Sequence, residues 1–139
     1  MAKAPTAIRL NHAEFAMLAG PDATAEALVA FTRRSKCLVA LSGQADLVSD
    51  GERVLKIANG HSLMGKVTAM GCAGSALLAA YLAVHDNALV ASAAALLMLG
   101  VAGEIAAETA KGPGSFAAGI LDALYALDAR TLIVRARIA

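Results

Sequence analysis

No tryptophan occurs among these 139 residues, and aromatic side chains make up only 4% of them. An all-β sandwich draws its core from aromatic and β-branched residues, so that architecture is disfavoured. Charge of one sign is lacking too. The formal net charge is +1, which leaves no field to draw the chain onto nucleic acid or an anionic membrane. Its basic clusters, Arg33-Arg34-Lys36 and Arg135 with Arg137, are short, carry no interleaved aromatics and read as solvated ends of elements. Neither nucleic acid nor membrane is expected as a partner. Cys37 and Cys72 are the two cysteines, with no CxxC spacing, so metal and redox motifs are absent and a reduced, cytoplasmic setting is expected. The opening Met-Ala-Lys-Ala-Pro-Thr offers no apolar core of a signal peptide.

What is plentiful is small and apolar. Hydrophobic residues make up 58% of the chain, alanine foremost, a composition that suits closely packed helices. The length allows one domain with a real core. The longest charge-free run goes from Ala88 to Gly103, closed by Asp86-Asn87 and by Glu104. A membrane span needs about 20 apolar residues, so this shorter run predicts a buried core helix.

Along the chain, Ala7 to Leu10 predicts a short strand running into Asn11, which can cap a helix that ends at Gly20-Pro21. A second helix is expected from about Asp22 to Arg34, with Leu28, Phe31 and Thr32 on one face. Cys37 to Leu41 is a continuous apolar run of the kind a buried parallel strand shows. Two further strand-like runs, Ala45 to Val48 and Arg53 to Ile57, flank Ser49-Asp50-Gly51-Glu52, a hairpin signal. Asn59 to Met70 reads as a loop. Gly71 to His85 then predicts a helix apolar nearly all round and so buried. A long helix is expected from Ala88 to about Lys111, surfacing at Glu104, Glu108 and Lys111. Gly112-Pro113-Gly114 stops it, Ser115 can cap a last helix to about Leu127, and Thr131 to Ile138 reads as a β-prone tail. This order is an α/β layer pattern.

Several short motifs could carry chemistry. Gly60 to Lys66 matches the first seven positions of a phosphate-binding P-loop, but Val67 stands where a magnesium-binding hydroxyl belongs and the helix starts too late, so a P-loop is rejected. Ala69 to Ser75 places small residues at the opening of a helix, where free N–H groups and the dipole favour an anion. Cys72, in that first turn, is either a thiolate general base or a small buried hydrophobe; composition alone favours the second. Asn11-x-x-Glu14 is either a capping box or a pair that orders the water shell of a magnesium ion, and the cap is the commoner. Arg9 is either a solvated charge or a phosphate ligand. His12, His61 and His85 show no metal spacing.

Taken together, Arg9, Asn11-x-x-Glu14, Leu41-Ser42-Gly43, Asp46-x-Val48-Ser49-Asp50-Gly51, Gly71-Cys72-Ala73, Ala102-Gly103-Glu104, Gly112-Pro113-Gly114-Ser115-Phe116 and Leu121-Asp122-Ala123-Leu124-Tyr125 fall in one order. That order resembles the second half of the hydroxyethylthiazole kinase family, over about residues 7–127, with Gly-Cys-Ala and Gly-Pro-Gly-Ser-Phe the specific pieces. The resemblance implies a partial ribokinase-like three-layer α/β/α fold, with a β-hairpin and a C-terminal helical layer, as one partial domain over 1–139. It implies ATP- and Mg2+-dependent phosphorylation of the hydroxyl of 4-methyl-5-(2-hydroxyethyl)thiazole in thiamine synthesis and salvage.

By that resemblance Arg9 and Ser42 contact ATP, and Asn11 with Glu14 holds magnesium through water. Ala69 and Gly71 line the anion site, and Cys72 is the catalytic base. Ala69 and Met70 stand where the family has glycine and threonine, and Leu10 where it usually has glycine. The family's first half, which supplies central strands and most of the thiazole pocket, has no counterpart in this sequence. The partners expected are therefore the thiazole alcohol, ATP, and either the family's homo-oligomeric trimer or a chain supplying the missing half. The second functional reading is a non-catalytic remnant that binds a nucleotide or a partner chain.

Overall fold

The computed structural model describes residues 4–139; residues 1–3, part of the segment read as lacking a signal-peptide core, lie outside the described residues. Strand β1 (Ala7–Asn11) pairs in parallel with β2 (Leu38–Ser42). Strand β2 runs antiparallel to β3 (Asp46–Ser49), which in turn runs antiparallel to β4 (Val54–Ile57), giving the sheet order β1-β2-β3-β4. Helices α1 (His12–Ala19) and α2 (Ala25–Ser35) connect β1 to β2. After β4 come a 3-10 turn (Ser62–Lys66) and the helices α3 (Met70–Val84), α4 (Ala88–Thr109), α5 (Pro113–Ala126) and α6 (Ala129–Arg135).

Strand β2 explains the layering. Successive side chains of a strand point to opposite faces, and here both faces are apolar. Val39 and Leu41 pack with Leu10, with Phe15 of α1 and with Leu28 of α2. Leu38 and Ala40 pack with Val48 and Ile57 against Leu89, Leu96 and Val101 of α4. The sheet is thus covered on both sides, an α/β/α arrangement that agrees with the ribokinase-like expectation. Beyond α4 a further cluster joins Leu99, Ala102 and Ala106 to Phe116 and Ile120 of α5, with Leu77 of α3 against it. Caps set the helix starts: Asn11 accepts from Glu14 N–H at 2.9 Å, Thr24 from Ala27 at 3.2 Å and Asn87 from Val90 at 3.1 Å. The hairpin turn is held by Asp50 Oδ1, which accepts from Glu52 and Arg53 N–H, with Gly51 at φ +93°.

Helix α4 is long and apolar enough to cross a membrane, but most of it is buried inside the protein, so it is the core helix its length predicts.

Several expectations need correction. Helix α2 begins later than Asp22, because Thr24 takes the cap. The loop from Asn59 to Met70 contains a 3-10 turn capped by the His61 side chain. Helix α3 is not buried all round. Only Gly74 and Leu78 are buried, because only the side facing α4 has a neighbour among the described residues. Ser115 is not the cap of α5. Gly112 is, and Ser115 Oγ accepts from Lys111 N–H while donating to the carbonyl of Gly112. Lys111 lies past the end of α4, and Glu104 is not on a solvated face; its side chain is 15% exposed and ion-paired with Arg137. Arg135 likewise pairs with Glu108 at 2.7 Å rather than standing free. The β-prone tail is helical through Arg135, and Ile138 makes an isolated antiparallel bridge to Ile57.

The two sheet edges therefore differ. Lys56 and Ala139 exchange backbone hydrogen bonds at 2.7 and 3.0 Å, so the chain's own end covers β4. No strand covers the outer edge of β1 among the described residues.

Candidate active site

The parallel strands β1 and β2 end side by side, with Asn11 opposite Ser42 in register. Ligands of open α/β sheets bind outside the carboxyl ends of parallel strands. A cleft of about 890 Å³ opens at this end, lined by Arg9, Ser42, Asp46, the 58–62 segment, Ala69 to Gly71, and Leu96, Leu99 and Gly100 of α4.

Arg9 points from β1 towards the start of α3, where its Nη1 donates to the carbonyl of Gly71 at 3.1 Å. Its Nε is buried without a partner, and so is the hydroxyl of Ser42. A buried polar atom left unpaired costs about 1–3 kcal/mol. Both residues line the cleft, and a turn of either side chain towards it would offer an unpaired donor to a ligand oxygen. Asp46 adds a carboxylate at the same end. Its Oδ1 accepts from Gly43 N–H at 3.0 Å. Burial pushes its pKa up, opposed by that N–H and by the charges of Arg9 and His12.

Helix α3 opens at the other side of the cleft. Its first backbone bond runs from Ala73 N–H to Ala69 O at 2.9 Å, so the N–H groups of Met70, Gly71 and Cys72 precede the helical ladder. Ala69 caps this turn at φ +67°, a left-handed conformation that glycine adopts freely and alanine does not. Met70 is half-buried against the cluster that contains Leu99 and Phe116, so packing accommodates its length at the cleft margin. No Cβ fits easily at Gly74, which would come within 3.3 Å of the Arg9 guanidinium.

Of the residues singled out from sequence, Arg9, Ser42, Ala69 and Gly71 are brought together in the cleft. Cys72 is not among its lining; it is exposed, which removes the reading of a small buried hydrophobe. Asn11 and Glu14 are exposed as well. They form both halves of a capping box, with Glu14 Oε2 accepting from Asn11 N–H at 2.8 Å. Among the described residues Glu14 Oε1 has no partner, and Asn11 Oδ1 keeps a second lone pair, so the pair can still accept from metal-bound water. Among the described residues no three His, Cys, Asp or Glu side chains gather as direct metal ligands. Asp46, Asn59 and Gly60 line the cleft, and sequence reading gave them no role in it. Asp46 carried a faint signal, since it sits three residues after Gly43 at the edge of the hairpin. Asn59 carried none.

The fold is that of an α/β protein with an open cleft at the carboxyl ends of its parallel strands. Comparison with known proteins narrows this. The profile of the hydroxyethylthiazole kinase family matches residues 3–130. The hydroxyethylthiazole kinase of Granulibacter bethesdensis is 42% identical over 96% of this chain and 53% of its own length, and that of Zea mays is 46% identical over 81% and 41%. The solved structure of hydroxyethylthiazole kinase protein from Pyrococcus horikoshii OT3 superposes with a TM-score of 0.88 at 35% identity, over 96% of this chain and 54% of that one. The chain belongs to the hydroxyethylthiazole kinase family. It spans about half the length of the relatives it matches.

Proposed function

We propose that this chain carries the nucleotide-binding and phosphoryl-transfer half of a kinase that phosphorylates the hydroxyl of 4-methyl-5-(2-hydroxyethyl)thiazole, in the cytoplasm, with ATP as co-substrate. The observation that carries the reading is the pair of unpartnered buried donors, Arg9 Nε and Ser42 Oγ, beside the amino-terminal turn of α3 in one cleft. Family membership supports the reaction class. Phosphoryl transfer asks little covalent chemistry of the protein and depends on positioning and charge stabilisation. Arg9 and Ser42 take phosphate oxygens. The N–H groups at Ala69 to Gly71 stabilise charge on the transferring group. Cys72 accepts the proton of the attacking hydroxyl once substrate covers it. Asn11 and Glu14 would hold a magnesium ion through water, and the chemistry supplied there would be neutralisation of phosphate charge.

Transfer also needs the thiazole alcohol in near-attack geometry, where an error of about an ångström can cost about a hundredfold. The thiazole pocket is assigned to polypeptide equivalent to the half of the relatives that these residues do not span, and the assembly is read as a homo-oligomer or a complex with a chain that carries that half. The chain by itself is therefore expected to bind ATP without turning over. Incubation with thiazole alcohol, ATP and Mg2+, followed by mass spectrometry of the phosphorylated product, tests this. Turnover near one per second, an ordinary kinase rate of about 1–100 s⁻¹, refutes the division of labour. The second reading, a nucleotide-binding remnant that transfers nothing, is favoured by Ala69, which holds the left-handed backbone of the anion turn at a strain that glycine avoids. Adding the half of a relative that these residues do not span separates the two: transfer in the mixture supports the first.

A further inference from the structure

Asn59, which leads from β4 into the cleft wall, is 5% exposed, and its side-chain amide is paired at both ends. Nδ2 donates to the carbonyl of Arg135 at 2.8 Å and to the two carboxylate oxygens of Glu104 at 3.2 Å. Oδ1 accepts from Arg137 N–H at 2.8 Å. Glu104, on α4, also accepts from Gly60 N–H at 2.9 Å and from the Arg137 guanidinium. That guanidinium donates in addition to the carbonyl of Ala58 at 2.9 Å, while Ala58 N–H donates to the carbonyl of Arg137 at 2.9 Å. Gly100 lets α4 come this close, since a Cβ there would lie 2.8 Å from Asn59 O.

These contacts join the 135–139 segment to residues 58–60, and residues 58–62 line the same cleft as Arg9 and Ser42. Asn59 and Glu104 are largely shielded from water and paired, while the Arg137 guanidinium closes the network from its half-exposed side; such a paired network holds its members in one arrangement, and removing one member leaves the shielded ones unpaired. We propose that the 135–139 segment is a clasp that sets the position of the cleft wall at 58–62, with Asn59 and Glu104 as positioning residues for the cleft's ligand. The ligand's identity rests on the nucleotide reading above; the clasp itself does not. Opening the clasp leaves the wall in its binding position in only a fraction of molecules, and affinity falls by that fraction.

The test uses the full chain as wild type and as Arg137→Ala. ATP affinity is read by calorimetry with Mg2+, and the order of the wall by hydrogen exchange at Gly60 N–H, which Glu104 protects. Arg137→Ala is expected to weaken ATP binding about five- to tenfold and to speed exchange at Gly60. Arg137→Lys, which keeps the charge but lacks the fork that reaches both Glu104 and Ala58, is expected to restore part of each. A residue that only stabilised the fold would lower the unfolding midpoint and leave the affinity of folded molecules unchanged. If Arg137→Ala does not fold, Glu104→Gln keeps the shape and loses the ion pair, and shifts both readings the same way. Equal ATP affinity in wild type and variant overturns the clasp. If the wild type binds no ATP, the nucleotide reading falls and exchange alone decides: faster at Gly60 in the variant upholds the clasp, and unchanged exchange overturns it.

Discussion

Arg9 in β1 donates from Nη1 to the carbonyl of Gly71, 3.1 Å away in the first turn of α3, while its Nε stays buried and unpaired. One guanidinium thus ties an edge strand to a helix start and leaves one of its N–H donors unpaired among the described residues. Arg9→Gln is expected to weaken ATP binding about ten- to a hundredfold, the loss of one charge-assisted contact worth about 1.5–3 kcal/mol. Arg9→Lys is expected to recover little, since an ammonium cannot serve Gly71 and a phosphate oxygen in fork geometry. Calorimetric titration with ATP checks both, and wild-type affinity in Arg9→Gln rules out the contact.

Ala69 holds the turn before α3 at φ +67°. Glycine there relieves the Cβ strain, at some cost in unfolded-chain entropy. Ala69→Gly is therefore expected to be more stable by about 0.5–1 kcal/mol. Urea denaturation should show a higher midpoint at unchanged slope. A lower midpoint contradicts the strain.

Asp46 makes stability depend on pH in an assignable direction. Burial holds its carboxyl above the ordinary range, against the pull of Gly43 N–H, Arg9 and His12. The folded chain then keeps this proton more tightly than the unfolded chain. Its stabilising contribution is complete in acid, below the ordinary carboxylate range, and is lost as pH rises through the raised value. Asp46→Asn keeps an acceptor for Gly43 and removes the charge. It is expected to melt above wild type near pH 7, by a margin that shrinks towards about pH 4. A margin that grows on acidification reverses the sign and refutes the assignment.

The two cysteines should be chemically distinct. Cys72 is exposed, and Cys37 is buried with its Sγ 3.4 Å from Ser35 Oγ. One thiol is expected to react promptly with an alkylating reagent in the folded protein, and peptide mapping should place it at Cys72. Where transfer is reconstituted, Cys72→Ser is expected to slow it by about 10² to 10⁴, since serine is the weaker base. An unchanged rate would remove Cys72 from the chemistry.

Strand β1 is paired only with β2, and its outer row of N–H and C=O groups has no strand against it among the described residues. Such an edge recruits another chain. The exposed outer side of α3 and the exposed Met17 and Leu18 of α1 add apolar surface to the molecule. Self-association at low micromolar concentration is expected in sedimentation velocity. A compact monomer whose Ala7 and Arg9 amides, which face away from β2, both resist exchange would show the edge to be closed.

How much of this was legible in the residues depends on the range of the interaction. Asn11, Thr24 and Asn87 act on N–H groups three positions away, so caps and helix starts follow largely from local sequence, although Thr24 rather than Asp22 caps α2 and Gly112 rather than Ser115 caps α5. The apolar run of β2 and the Asp50-Gly51 turn likewise announce a buried strand and a hairpin. Arg9 and Ser42 could be named from motif order, because the family resemblance carries their positions. What local sequence cannot carry is which side of an apolar helix finds a neighbour. Alanines all round α3 look buried, yet only the side against α4 is covered. Nor can it show that Thr131 to Ile138, β-prone by residue type, is helical through Arg135, with Asp128 as its cap. Arg137, Glu104 and Asn59 lie far apart in sequence and read singly as surface charges and a loop amide. Only the folded chain, by closing residues 137–139 onto β4 beside α4, brings a carboxylate, a guanidinium and an amide into one half-buried place where each must pair. Tertiary structure decided that cluster because desolvation, not sequence spacing, is what compels the three to meet.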